Sequence, residues 1–147
     1  MTNLLEARDL RVTFSLRREG DMPWTKPRQL HALNGVSFAL RPGETLGIVG
    51  ESGCGKSTLA RALIQMVPAT GQVMWQGGTD LLSLSPQQML KYRADIQMVF
   101  QDPLASRNPR MTIGQIIAEP LKTHCPALPA AEVKARVQLM MDRVGLL

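Results

Sequence analysis

The sequence predicts an α/β fold that opens with an antiparallel β portion. Three observations lead there: alternating apolar and polar residues near the N-terminus, a glycine-rich loop set between an apolar run and a helical pattern, and amphipathic helical spacing towards the end. Leu4 to Phe14 alternates as a strand does, and Leu30 to Leu40, with Val36 and Phe38 inside it, predicts a second. Ser15 to Gln29 is polar and charged, with Pro23 and Pro27 around Trp24, and predicts an inserted loop.

Arg41-Pro42-Gly43-Glu44 predicts a turn into Thr45–Val49, a short β-branched apolar run expected as a buried strand. Gly50-Glu51-Ser52-Gly53-Cys54-Gly55-Lys56-Ser57 follows, and Ser57 to Gln65 predicts a helix. Strand, glycine-rich loop and helix in this order make a phosphate-binding loop. Glycines without Cβ let the backbone wrap closely around phosphates, with N–H groups turned inward and the positive end of the helix dipole behind them. The Lys56 ammonium is placed to reach the β and γ phosphates, and the Ser57 hydroxyl to ligate Mg²⁺ bound to them.

Beyond the first helix, Pro68 to Gly71 breaks the pattern, Gln72 to Gln76 predicts a strand and Gly77-Gly78 a turn. Ser85 as N-cap with Pro86 at the first position predicts a helix over Gln87 to Arg93. Ile96 to Phe100 is a strand candidate. Thr112 caps a helix from Ile113, with Pro120 expected to mark its end. Ala130 to Val144 carries Val133, Val137, Met140, Met141 and Val144 along one face, a stripe expected to pack into a core, and closes at Gly145.

Composition narrows the function classes. The hydrophobic fraction of 44% and charged fraction of 20% are ordinary for a globular protein and argue against disorder. Net charge is +5, yet aromatics make up only 4% and the basic residues are dispersed, with local pairs at Arg17-Arg18 and near Lys26 and Arg28; no nucleic-acid platform stands out. A solvated basic face, or one near anionic lipid, is expected instead. No apolar run approaches the ~20 residues that span a bilayer and no signal peptide is evident, so a cytosolic location is expected. Cys54 and Cys125 have neither metal-ligand spacing nor a secreted context. Cys54 lies inside the phosphate loop beside Lys56, where it is expected as a small residue that fits.

Hydrolysis needs more than this loop: a metal-side carboxylate at the end of an apolar strand, and a group that positions water. Ile96 to Asp102 is the one candidate strand, and its two glutamines make it a poor central one. Asp80, Asp95, Glu119 and Asp142 lack such a strand ahead of them.

Gly50 to Thr58, Val99-Phe100-Gln101-Asp102-Pro103-Leu104-Ala105-Ser106, Asn108 to Gly114 and Ile116 to Leu121 together resemble the N-terminal half of an ATP-binding cassette ATPase, in the oligopeptide and dipeptide permease branch of bacterial importers. The resemblance runs from about Leu4 to Leu147. It implies a P-loop NTPase core with an N-terminal antiparallel β portion over 1–101, then a glutamine loop and the start of a helical subdomain over 102–147. It implies ATP and Mg²⁺ as cofactors, held by Gly50 through Thr58. Gln101 would sense the Mg²⁺ and the attacking water, and Phe14, two residues after Val12, would stack on adenine, with Trp24 or His31 as alternatives. Transmembrane permease subunits and a second ATP-binding subunit would be the partners, at the cytoplasmic face of the inner membrane.

The Ser-Gly-Gly-Gln signature, the apolar strand ending in Asp-Glu and the switch histidine of such ATPases are absent from these residues, and neither His31 nor His124 takes the last role. Mg-ATP binding without hydrolysis by this chain alone is therefore expected. Two other readings stay open: a small P-loop kinase or GTPase using Asp102 as its metal-side acid, and a nucleotide-binding module without turnover. Peptide, nickel, glutathione and other small solutes are all open as the transported substrate.

Overall fold

The computed structural model describes residues 2–146 apart from Arg18, Glu19, Asp21, Pro23, Thr25 and 103–107. The stretch from Pro103 to Ser106, part of the run quoted above, therefore lies outside the described residues, as does Pro23. Two compact units divide the chain, Met1–Met89 and Leu90–Leu147.

In the first unit, β1 (Leu5–Leu16) and β2 (Arg28–Leu40) form a long hairpin, and β3 (Thr70–Trp75) and β4 (Thr79–Asp80) complete an antiparallel sheet of order β2-β1-β3-β4. Both hairpin strands reach further into the inserted segment than alternation predicts. Leu16 pairs with Arg28, so the connection is 17–27 rather than Ser15 to Gln29. The expected Gly77-Gly78 turn joins β3 to β4, with Gly78 N–H donating to the Trp75 carbonyl at 3.1 Å.

The buried positions on β1 are Leu5, Ala7, Leu10 and Val12, a period of two broken once in the middle. Asp9 is the extra residue. The register against β2 and against β3 slips at this point, and Asp9 takes a left-handed φ of 47°, which Asp tolerates better than most residues. One inserted residue flips the phase, so Leu10 and Val12 return to the core side. The Asp9 N–H donates to Ser37 Oγ at 2.8 Å, and its carboxylate accepts from Arg11, whose guanidinium also donates to Asn34 Oδ1 at 2.8 Å. Opposite the bulge, Gly71 has φ +105°, and a Cβ there would fall 2.5 Å from the Asp9 carbonyl oxygen. Only glycine lets β3 pass the bulge.

Helix α1 (Lys56–Leu63) packs on β1 and β2 through Leu59 and Ala62. A 3₁₀ turn at Leu81–Ser83 packs on β3 and buries Leu81. The Asp80 carboxylate fixes that turn, accepting from the N–H groups of Val73 at 3.0 Å and Leu82 at 3.1 Å. Gln65 Nε2 donates to the carbonyls of Leu81 and Leu84, tying the end of α1 to the same turn. Helix α2 (Pro86–Leu90) begins where expected, Ser85 and Gln88 exchanging a reciprocal pair of cap bonds, but it stops short of Arg93; a separate 3₁₀ turn holds Tyr92–Ala94.

Two expected strands are not formed. Thr45–Val49 has no regular secondary structure and is exposed along its length, Val49 to 92%. Ile96 to Phe100 is likewise irregular, with Val99 96% exposed. Strand propensity measures fit to a pleated, half-buried surface, and no described residue pairs with either segment. Without a ladder there is no strand.

The second unit is a helical hairpin of α3 (Ile113–His124) and α4 (Ala130–Arg143). Thr112 caps α3 in a full capping box: Gln115 N–H donates to Thr112 Oγ1 at 3.3 Å and Thr112 N–H to Gln115 Oε1 at 2.8 Å. Pro120 lies inside α3 and does not end it. It removes one N–H from the ladder, but the Cys125 N–H still donates to the Leu121 carbonyl at 2.8 Å, and α3 packs on α4, with Ala118 and Val137 buried. Of the α4 stripe only Val137 is buried; Val133 and Met141 are half-buried, and Met140 and Val144 are exposed. The helix stops at Gly145 as expected, in a Schellman pair: Gly145 N–H to Asp142 O at 3.0 Å and Leu146 N–H to Met141 O at 2.9 Å.

Candidate phosphate-binding site

The site is built where α1 leaves the loop. Gly55 is the N-cap, with φ +103° and no side-chain cap bond, and no acidic residue stands in the first turn. The first-turn N–H groups therefore have no side-chain acceptor from the cap. This end of the helix offers donors and a positive dipole to an anion.

The loop is seated by the sheet. β2 carries a bulge at Ala32, since Val12 pairs with Leu33 while Thr13 pairs with His31. A Cβ on Gly55 would lie 2.7 Å from the Ala32 carbonyl oxygen and 3.2 Å from Leu33 Cδ2. Gly55 thus serves two needs, a left-handed backbone and a close approach to β2. Sequence reasoning missed the role of Ala32, because nothing in its residue type signals that its carbonyl will meet the loop.

Across the loop, Lys56 Nζ donates to the carbonyls of Gly50 and Glu51, both at 2.7 Å, and lies 3.5 Å from Cys54 Sγ. The Cys54 N–H donates to Glu51 O at 3.3 Å, closing a tight turn through Ser52 and Gly53. The ammonium is held across the loop by two neutral acceptors. An anion arriving there meets a cation whose present partners carry no charge. Ser57 is exposed beside it and Thr58 half-buried. Cys54 is a small exposed residue within the turn, as expected.

Phe14 is half-buried on β1, opposite Leu30. The bulge is on β2, so β1 alternation puts Phe14 on the face of Val12, whose partner Leu33 adjoins Gly55. His31 is on the other face, its Nδ1 3.0 Å from Thr13 Oγ1, and Trp24 is exposed in the segment joining the strands. Gln101 is exposed and belongs to the second unit, as does Asp102. Among the described residues no group of His, Cys, Asp and Glu could hold a metal by itself. The loop's chemistry nevertheless fits a magnesium nucleotide, because the phosphates would bring the ion to the Ser57 hydroxyl.

The family profile described as ABC transporter matches residues 33–147. The chain belongs to the ABC transporter family. It is 55% identical over 145 residues to the oligopeptide transport ATP-binding protein OppF of Escherichia coli K12, covering 98% of this chain and 43% of that protein. The OppF protein of Haemophilus influenzae Rd is 57% identical over the same shares. The glutathione import ATP-binding protein GsiA of Escherichia coli K12 is 46% identical, covering 98% of this chain and 23% of that protein. The chain thus spans less than half the length of these curated relatives. A dimeric ATP-binding cassette, MJ0796, solved in a post-hydrolysis state with ADP and Pi, shares the fold with a TM-score of 0.76 at 23% identity, covering 94% of this chain and 56% of that one. The architecture is that of a partial α/β ATP-binding cassette domain, and the family implies nucleotide binding.

Proposed function

We propose that this chain is the nucleotide-binding part of an ATP-binding subunit of a bacterial importer, taking up oligopeptides or dipeptides at the expense of ATP. The observation that carries the reading is the Lys56 ammonium, 2.7 Å from the carbonyls of Gly50 and Glu51, at the mouth of a helix start that no side chain caps. Gly50 through Thr58 hold the triphosphate of ATP, and Ser57 ligates Mg²⁺, with Gln101 as its partner from the segment that opens the helical portion. Bound Mg²⁺ would supply charge neutralisation for the phosphates that this loop holds. Phe14 takes the adenine, being an aromatic on the sheet face that adjoins the loop.

The names of the relatives support the transport reading, oligopeptide for OppF and glutathione for GsiA. Transmembrane permease subunits and a second ATP-binding subunit are the proposed partners, with the protein peripheral on the cytoplasmic face of the inner membrane. No helix among the described residues is long and apolar enough to cross a membrane. The functional division is proposed at Gln101, with the nucleotide core before it and the partner-sensing helices after it.

Titration with a fluorescent ATP analogue in the presence of Mg²⁺ tests the reading. Lys56→Ala is expected to weaken binding by about 1.5 to 3 kcal/mol, the scale of a charge-assisted hydrogen bond. Unchanged affinity in that variant would remove the loop from the site. This chain alone is expected to bind without turnover, and substantial ATPase activity from it would overturn that part.

A further inference from the structure

The β1–β3 ladder ends at Arg11 with Thr70, but the β1–β2 ladder continues through Thr13 with His31, Phe14 with Leu30, Ser15 with Gln29 and Leu16 with Arg28. Past the sheet the hairpin is therefore a two-stranded arm, about 16 Å long at ~3.3 Å per residue. Its two faces differ. Register and pleat put Thr13, Ser15, Gln29 and His31 on one side and Phe14, Leu16, Leu30 and Arg28 on the other. Leu16 and Leu30 are each half exposed, with no third strand beside them among the described residues.

Beyond the last pair, Trp24 is 78% exposed and Met22 is exposed as well. Arg17, Lys26 and Arg28 are also exposed. In sequence, the stretch from Arg17 to Arg28 holds four basic residues against two acidic ones, Glu19 and Asp21.

We infer that this arm docks on an anionic phospholipid surface, Trp24, Met22 and Leu16 entering the headgroup region while Arg17, Lys26 and Arg28 pair with lipid phosphates. Indole is amphipathic and settles at the boundary between headgroup and acyl chain. Basic side chains beside apolar ones are the combination that holds a peripheral element to an anionic leaflet. Nucleic acid fits the arm less well: the exposed apolar groups include one aromatic and otherwise Leu and Met, which insert into acyl chains but offer bases no stacking platform. The inference does not draw on the nucleotide reading, because neither Lys26 nor Arg28 is assigned to that site and the proposed adenine partner is Phe14 rather than Trp24.

Co-sedimentation of the protein with phosphatidylcholine vesicles, with and without phosphatidylglycerol, tests it. Binding is expected only to the vesicles containing phosphatidylglycerol, and is expected to fall in high salt. Lys26→Gln with Arg28→Gln is expected to lower partitioning about 25-fold, at roughly fivefold per charge. Brominated acyl chains are expected to quench Trp24, and Trp24→Phe should abolish that component while leaving the circular dichroism spectrum unchanged. Equal partitioning of wild type and the double variant, no binding to anionic vesicles, or retention only on membranes that contain permease protein would each overturn the inference. A separate nucleotide titration of the double variant is expected to match wild type, so failure of the lipid assay leaves the ATP site standing.

Discussion

Strand β1 and the Thr45–Val49 segment both carry a strand signal, alternation in one and a short apolar run in the other, yet one is interior to a sheet and the other forms no strand. β1 has β2 on one side and β3 on the other, both antiparallel and both reached by connections within the first unit. Thr45–Val49 runs out of a turn into the phosphate loop, and no described strand lies beside it. A short apolar run between a turn and a glycine-rich loop is typical of a strand buried on both faces of a parallel sheet, where every hydrogen-bond partner comes from another βα unit. The difference shows that β-branched composition marks a willingness to pair, while the ladder itself depends on partners elsewhere in the chain.

The largest expected effect sets the two regions directly against each other. Leu10 is fully buried, so Leu10→Ala should cost about 2 to 5 kcal/mol, whereas Val49→Ala should stay within about 0.5 kcal/mol. Denaturant unfolding measures both, and amide exchange should find β1 protected and Thr45–Val49 open. Comparable losses from the two variants would mean that Thr45–Val49 is packed after all.

Gly55→Ala probes the point where the sheet meets the loop. Its left-handed φ and the Ala32 carbonyl 2.7 Å from the added methyl predict a loss of about 1 to 3 kcal/mol in stability, together with weaker nucleotide binding. A variant with wild-type melting temperature and affinity would show that the bulge at Ala32 does not seat the loop.

Smaller again is Thr112→Ala, which removes the side-chain half of the α3 capping box and should cost about 1 kcal/mol with no change in nucleotide affinity. Thermal unfolding with a parallel ATP titration checks it; a change in affinity would couple the helical hairpin to the loop.

The smallest effect concerns the sheet surface. Hydrogen bonds from Arg8 hold the Glu6 carboxyl below its ordinary 4.5, and those from Arg11 hold Asp9 below 3.8. Depressed folded values mean that this contribution is present above the unfolded pKa and is lost as pH falls through the folded one. Both pairs are solvent-exposed, so stability should decline only slightly below pH 4.5, and added salt should shrink the decline. Asp9→Asn should flatten part of the acid slope in melts recorded against pH, and an unchanged slope would remove Asp9 from it.

Most of the candidate site was legible because it is local. Lys56 lies within six residues of the carbonyls it bonds, and Thr112 and Ser85 cap through partners three residues on. The hairpin was legible from alternation at both ends, and Gly145 from its place just past the α4 stripe. The Asp9 bulge was not, because an extra residue shows only as a phase slip against two other strands. Pro120 misled for a related reason: the rule that proline ends a helix weighs one lost N–H bond and leaves out the packing of α3 on α4.

The sequence by itself determined the glycine-rich loop, the helix starts and the hairpin, since each rests on hydrogen bonds or alternation within a few residues. Tertiary structure alone decided that β1 shifts phase at Asp9 and that the Ala32 carbonyl abuts Gly55. Those outcomes depend on which distant backbone groups come within bonding distance, and residue type does not specify distance.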